Sequence, residues 1–228
     1  KYKLGIKTMP LRSETDLMIQ CAHNNHSDTA SLEQEEIIVF SGFGPFSGHS
    51  VNASWVSVQE LARLGLTDDV DLIISEIPVE YCTVKTIIPS LWKQHNPDLI
   101  VHVGVSSIAM ELTLEQQAHN DGYDKHDISG SCPPTKCCVE GADTCIKSDI
   151  DMQHVCNEVN NMPIKIKTVV SNDAGRYLCD FSFYQSLHID KRKAAFIHVP
   201  PLGCPYTADE IAEGLRAVIL SMLKHMAL

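Results

Sequence analysis

From Ile37 onward, short runs of hydrophobic residues alternate with longer amphipathic stretches. The runs are apolar on both faces, which predicts buried strands, and the stretches repeat apolar positions at helical spacing. In order, the predicted elements are strand IIVF, helix SWVSVQELARL ending at Gly65, strand VDLIISEI, helix VKTIIPSLWKQH, strand LIVHVGV, helix DMQHVCNEVNN, strand IKTVVS, a helix holding Cys179, strand AAFIHV, and a last helix from about Ala208. This alternation predicts an α/β fold whose mostly parallel sheet is covered by helices on both sides.

The last helix has the clearest start signal in the chain. Thr207 precedes it and Glu210 follows three residues later, a spacing typical of a capping box. Its apolar positions form one stripe of Ile211, Leu215, Val218, Ile219 and Leu223. The sequence therefore predicts a helix that buries one face.

Two segments lack this organisation. Residues 1–36 are polar and without sustained periodicity, which predicts a flexible N-terminal extension before a single domain over residues 37–228. Residues 106–150 are expected to contain a hairpin formed by ELTLEQQ, followed by a long irregular excursion.

Charge narrows the classes of partner. The formal net charge is −11, from 18 Lys and Arg against 29 Asp and Glu, which argues against nucleic-acid binding because that needs a basic stripe. The longest apolar runs are far below membrane-spanning length. The nine cysteines are an odd number, and the stretch KYKLGIKTMPLRSETDLMIQ lacks the apolar segment of a secretory signal, so we expect reduced thiols and a cytoplasmic location.

A cluster of cysteines near two histidines raises the question of zinc. Adjacent Cys137 and Cys138, together with Cys132 and Cys145, include no pair at the spacing of a structural zinc site. Free thiols or an adventitious disulfide are the favoured interpretation, and we predict no metal.

Three segments fall at the carboxyl ends of predicted strands, where open α/β sheets bind ligands: GFGPF, PVEY and HVPP. Glu80 and His198 lie in two of them, and Cys179 sits near a predicted helix start. A buried histidine, a solvated carboxylate and a small apolar cysteine are the ordinary interpretations of these residues. Together, however, they are the set that nucleophilic catalysis needs, because a thiolate attacks, an imidazole moves the proton and a carboxylate holds the imidazole.

The GFGPF segment does not match a phosphate-binding loop, since it lacks both glycine-rich signatures. Phe43 and Phe46 flank a Gly-Pro turn that could present aromatic faces to a small, fairly apolar ligand. On the residues alone, two core phenylalanines beside a tight turn are slightly favoured.

The order GFGPF, NASW, IPVEY, DAGRYLCDFSFY and FIHVPP resembles the pyroglutamyl-peptidase I family, and the resemblance runs from about Ile37 to the end. The animal type is the nearer match, including HNDGYDKHD, CCVEGAD and SDIDMQHVC. Bacterial members typically have a glycine-rich segment with Arg where this chain has GVSSIAMEL.

The resemblance implies an open mixed sheet between helix layers and a cysteine peptidase that removes N-terminal pyroglutamate from small peptides. It implies Cys179 as nucleophile, His198 as general base and acid, and Glu80 as the carboxylate that orients the imidazole. Phe43 and Phe46 would enclose the lactam ring, with Asn52 in the substrate site as a brace of the loop. No cofactor and no membrane partner is expected, and a monomer is favoured.

Two alternatives remain open. One is a catalytically idle relative that only binds pyroglutamyl peptides, which the intact Cys-His-Glu set disfavours. The other is a different enzyme on a similar scaffold, such as a nucleoside phosphorylase, for which the chain has no phosphate-binding arginine pattern.

Overall fold

The computed structural model describes residues 36–46, 51–203 and 205–226. The elements in chain order are β1 Glu36–Phe43, α1 Ala53–Leu64, β2 Val70–Ile77, α2 Tyr81–His95, β3 Leu99–Val105, β4 Leu112–Glu115, β5 Gln117–His119, β6 Cys145–Lys147, α3 Met152–Asn160, β7 Thr168–Ser171, α4 Leu178–Asp190, β8 Ala194–Val199 and α5 Ala208–Met226. Every helix and strand of the predicted alternation is present. The expected extension over residues 1–36 lies, except for Glu36, outside the described residues.

Six strands form the main sheet in the order β2-β1-β3-β8-β4-β7. β2, β1, β3 and β8 run parallel, whereas β4 is antiparallel to β8 and parallel to β7. The predicted fold class, a mostly parallel mixed α/β sheet, is confirmed. β5 and β6 form a separate antiparallel pair.

The predicted hairpin over ELTLEQQ is wrong. β4 and β5 follow each other directly but belong to different sheets. Only Gln116 separates them, and one residue is too short to reverse the chain into a two-stranded pair. The Gln116 amide instead donates to the carbonyls of Ser148 and Ile150, and its backbone N–H donates to Ser171. The irregular excursion is present between β5 and β6.

Helices cover both faces of the sheet. On one side α1, α3 and α5 pack together, and on the other α2 packs against α4. Alternate residues of β1 point to opposite sides: Ile38 and Phe40 join the core under the first layer, and Val39 joins the core under the second. This period of two is what a strand buried on both faces requires.

Local chemistry fixes the ends of two helices. The Asn52 side chain accepts from the N–H of Ser54 at the start of α1, and Gly65 ends that helix with a positive φ of 74°. At α5, the Thr207 N–H donates to Glu210 and the Glu210 N–H donates to the Thr207 hydroxyl. The predicted capping box is therefore confirmed.

Within the described ranges, no helix is both long and apolar enough to cross a bilayer.

Candidate active site

Cys179 is the second residue of α4. A turn precedes the helix, in which the Asp173 carboxylate accepts from the N–H of Gly175, and Gly175 has a positive φ of 85°. The first helical hydrogen bond runs from the Phe181 N–H to the Tyr177 carbonyl. The amides before Phe181 have no carbonyl partner within the helix, so the positive end of the helix dipole lies at the half-buried Cys179 thiol.

Gly104 of β3 makes room for this thiol. A Cβ atom at Gly104 would lie 2.8 Å from the Cys179 sulfur and 2.8 Å from the Phe196 ring. Gly104 is paired in the sheet with His198 of β8. The sulfur is therefore seated over the end of β3, beside the histidine that the sequence predicts as its partner.

His198 lies near the end of β8 and is 8% exposed. Its Nδ1 is 2.8 Å from an oxygen of Glu115, which is 2% exposed on the neighbouring strand β4. Burial by itself lowers the pKa of His198, but the charge and hydrogen bonding of Cys179, with those of Glu115, outweigh burial and raise this pKa to about 10. The surroundings of His198 therefore favour its imidazolium form beside the Cys179 sulfur.

The structure corrects the prediction for Glu80. Glu80 precedes α2, and its carboxylate accepts a hydrogen bond of 2.7 Å from the Thr83 hydroxyl. The imidazole of His198 already has two partners. Glu115 is hydrogen-bonded to Nδ1, and the Cys179 thiol also forms a hydrogen bond with the ring. The hydrogen bond expected from Glu80 is thus made by Glu115.

Sequence reasoning missed Glu115 because it assigned LTLE to a hairpin formed by ELTLEQQ. Leu112 and Leu114 of β4 are fully buried, and Glu115 follows them as a buried carboxylate. An acidic residue at the end of a short apolar run was the available signal, since a buried charge requires a partner.

Asp180, next to the nucleophile candidate, ties the start of α4 to the loops around it. It is fully buried and accepts hydrogen bonds from the Tyr123 hydroxyl at 2.9 Å and the His119 N–H at 3.2 Å, with Arg176 3.7 Å away. Burial raises the pKa of Asp180 to about 6, although these partners oppose that shift. Because Asp180 follows Cys179 directly in α4, this network also fixes the position of Cys179.

The predicted substrate residues lie on the same side of the sheet as Cys179. Phe43 is buried, Phe46 is half-buried, and both pack with Cys179 into the core under α2 and α4. The Asn52 amide donates to the carbonyl of Gly44 at 2.9 Å, and its oxygen accepts from Ser54. Asn52 therefore braces the GFGPF loop against α1.

This chain is similar to known proteins over nearly all of its described length. The sequence profile of the family described as pyroglutamyl peptidase matches residues 36–227. Pyroglutamyl-peptidase 1 of Rattus norvegicus and that of Homo sapiens are each 52% identical over 193 residues, which cover 84% of this chain and 92% of theirs. The crystal structure of pyroglutamyl peptidase I from Bacillus amyloliquefaciens superimposes with a TM-score of 0.74 at 23% identity, covering 84% of this chain and 98% of that one. At that identity the crystal structure supports the fold.

Proposed function

The chain belongs to the pyroglutamyl peptidase family, and from that premise we propose that it hydrolyses the bond between an N-terminal pyroglutamyl residue and the rest of a peptide. The observation that carries this proposal is the contact of His198 with both Cys179 and Glu115. A thiolate, an imidazolium and a buried carboxylate in one cluster are the groups of a cysteine peptidase.

The reaction divides into two steps. The Cys179 thiolate attacks the pyroglutamyl carbonyl carbon, and the oxyanion that forms accepts hydrogen bonds from the unpaired amides at the start of α4. The peptide nitrogen takes the proton of His198 and leaves as a free amine, which leaves a thioester on Cys179. His198 then takes a proton from water, the hydroxide attacks the thioester, and pyroglutamate departs as Cys179 regains its thiolate.

Glu115 acts on the imidazole rather than on the substrate. By holding Nδ1 it fixes the ring so that Nε2 faces the sulfur, and its negative charge stabilises the imidazolium. We assign to Glu115 the orienting role that the sequence analysis gave to Glu80.

Phe43 and Phe46 suit the chemistry of the substrate. Pyroglutamate is a neutral lactam without a terminal ammonium group, so aromatic faces can contact its ring while backbone groups pair with its N–H and carbonyl. An N-terminal proline or glutamine brings a charged nitrogen, and burying an unpaired charge costs several kcal/mol. The pocket therefore selects the lactam.

The proposal also covers the partners, the cellular compartment and the oligomeric state of the enzyme. The net charge of −11 disfavours nucleic acid as a partner. The seven cysteines of the described residues are free thiols, which supports a reducing compartment such as the cytoplasm. We place the enzyme there as a monomer.

The test is release of a fluorescent amine from a pyroglutamyl amide by wild type, Cys179→Ala and the matched control Cys82→Ala. Cys82 is exposed on α2, so its loss should leave turnover unchanged. Cys179→Ala should lower kcat/KM by about a thousandfold or more while the fold is retained. A prolyl amide with the same leaving group should be a poor substrate.

Activity of Cys179→Ala within tenfold of wild type would refute the assignment of the nucleophile. A wild-type protein that binds a pyroglutamyl peptide without cleaving it would establish the idle relative instead.

A further inference from the structure

Three potential metal ligands meet on the helix layer opposite Cys179. His154 and Glu158 are one turn apart on α3, and His225 is in the last turn of α5. Because residues four apart on a helix share a face, both α3 side chains point to the same side, and α5 packs beside them. The group lies in the layer of α1, α3 and α5, whereas the reactive thiol is on α4.

The donor atoms are already close together. One candidate ligand atom from each residue lies within 4.8 Å of the other two. Nε2 of His225 is 2.9 Å from a carboxylate oxygen of Glu158, and the His154 and His225 rings are 4.1 Å apart between centroids. Bonds of about 2.0–2.2 Å to zinc place neighbouring ligands roughly 3.3–3.6 Å apart in a tetrahedron. His154 is exposed, so its side chain has room to rotate toward the other two ligands.

We propose that His154, Glu158 and His225 bind a divalent transition-metal ion, with zinc as the cation that suits this ligand set. Two imidazoles and one carboxylate match zinc and its neighbours, whereas magnesium and calcium require mostly oxygen ligands. Water takes the fourth position, because the group is at the surface.

Neighbouring side chains hold the Glu158 carboxylate in a fixed position. Glu158 accepts hydrogen bonds from Lys224 and Ser221, as well as from His225. These hydrogen bonds hold the Glu158 carboxylate in position beside His225. The Lys224 ammonium also repels an incoming cation and shares its ligand, which makes Lys224 a competitor for the site.

A bound ion would link α3 to the last turn of α5. Both helices contribute to the same core, so the expected consequence is stabilisation of the fold rather than a change in peptidase chemistry. Sequence analysis predicted no metal in this chain, and this proposal departs from that prediction. The cysteine-rich segment was the candidate weighed there, because the two histidines of the present group are far apart along the chain.

The experiment uses untagged full-length protein whose accessible thiols have been alkylated, so that cysteines do not bind the probe. Co²⁺ is added and its visible absorption recorded, and Zn²⁺ binding is measured by displacement of Co²⁺ and by the shift in melting temperature. The variants are His154→Gln, His225→Gln, Lys224→Gln and the matched control His95→Gln, which changes a histidine at the end of α2.

Wild type and His95→Gln should bind one ion with an absorption spectrum of nitrogen and oxygen ligands, without sulfur-to-metal charge transfer. His154→Gln should weaken binding by about a hundredfold, since even partners outside the ligand set change metal affinity by 10–100-fold. Lys224→Gln should tighten it. Because His154 is exposed, its variant should fold normally, which circular dichroism checks.

The proposal is overturned if His154→Gln binds as wild type does, or if Lys224→Gln weakens binding. Absence of Co²⁺ and Zn²⁺ binding to the alkylated wild type would overturn it as well.

Discussion

At the residue scale, the ring nitrogens of His198 have different roles. Nδ1 is held by Glu115, and the imidazole also interacts with the Cys179 sulfur. The imidazolium must survive in a nearly buried site, where burial alone would favour the neutral ring. The interactions with Cys179 and Glu115 reverse that preference and raise the pKa of His198. The carboxylate is therefore a positioning residue with an electrostatic effect, which makes it testable by pH.

Replacing Glu115 with Gln should move the alkaline limb of the kcat/KM profile to lower pH. Glu115 raises the pKa of His198, and the imidazolium that protonates the leaving amine exists only below that pKa. Removing one opposite charge should therefore lower the limb by about one to three pH units. We expect kcat/KM at neutral pH to fall by about a hundredfold or more.

Glu80→Gln is the matched variant, because it neutralises the carboxylate that the sequence analysis chose. Its alkaline limb should coincide with that of wild type, since Glu80 pairs with Thr83. A downward shift in Glu80→Gln with an unchanged limb in Glu115→Gln would return the orienting role to Glu80.

At the element scale, the sequence predicted strands β1, β2, β3, β7 and β8, but it predicted neither β6 nor the direction and partner of β4. Hydrophobic runs specify burial, and β1, β3 and β8 are buried throughout most of their length. Nothing in LTLE distinguishes a strand parallel to β8 from an antiparallel one, because direction depends on the path of residues 106–111. Since Glu115 reaches His198 only through the antiparallel pairing of β4 with β8, its role could not be predicted from the run.

β3 contributes to the site through a missing side chain. Gly104→Ala would place a methyl group 2.8 Å from the Cys179 sulfur and 2.8 Å from the Phe196 ring. We expect the sulfur to be displaced and kcat/KM per folded molecule to fall by about a hundredfold, the cost of a misplacement near 1 Å. The measurement is the fluorescent amide assay, normalised to the folded fraction from circular dichroism.

Gly214→Ala is the control for overpacking alone. Its methyl group would meet the side chains of Ile166 and Leu112 on the opposite face of the sheet. It should lose about 1–3 kcal/mol of stability and keep its activity per folded molecule. Equal activity of the folded Gly104→Ala protein and wild type would show that Gly104 does not position the thiol.

At the scale of the whole molecule, the sheet separates two hydrophobic cores, one next to the proposed active site and one next to the proposed metal site. The core under α2 and α4 contains Phe43, Phe46 and Cys179, and the core under α1, α3 and α5 carries the helices that bear His154 and His225. The two-layer arrangement followed from the alternation of elements. The strand order could not be predicted in this way, because it depends on packing between residues distant along the chain. For the same reason, the sequence did not predict that His154 and His225 lie close together.

The catalytic unit should begin at the first strand. The family match starts at residue 36, and the Glu36 N–H donates to the Asp69 carbonyl as β1 begins. Residues 1–34 are polar and without periodicity, so their sequence predicts no contribution to a core. Deleting them should leave kcat/KM unchanged and the melting temperature within about 2 °C of wild type, a shift equivalent to less than about 1 kcal/mol for a domain of this size.

The control deletion removes residues 1–40 and with them Glu36–Phe40 of β1. This strand lies between β2 and β3, so its loss exposes both neighbours and removes Ile38, Val39 and Phe40 from the two cores. We expect that variant to be unfolded. If the shorter deletion also lowered the melting temperature by more than about 4 °C, a shift of at least roughly 1 kcal/mol, residues 1–34 would contribute to the fold and the boundary at β1 would be wrong.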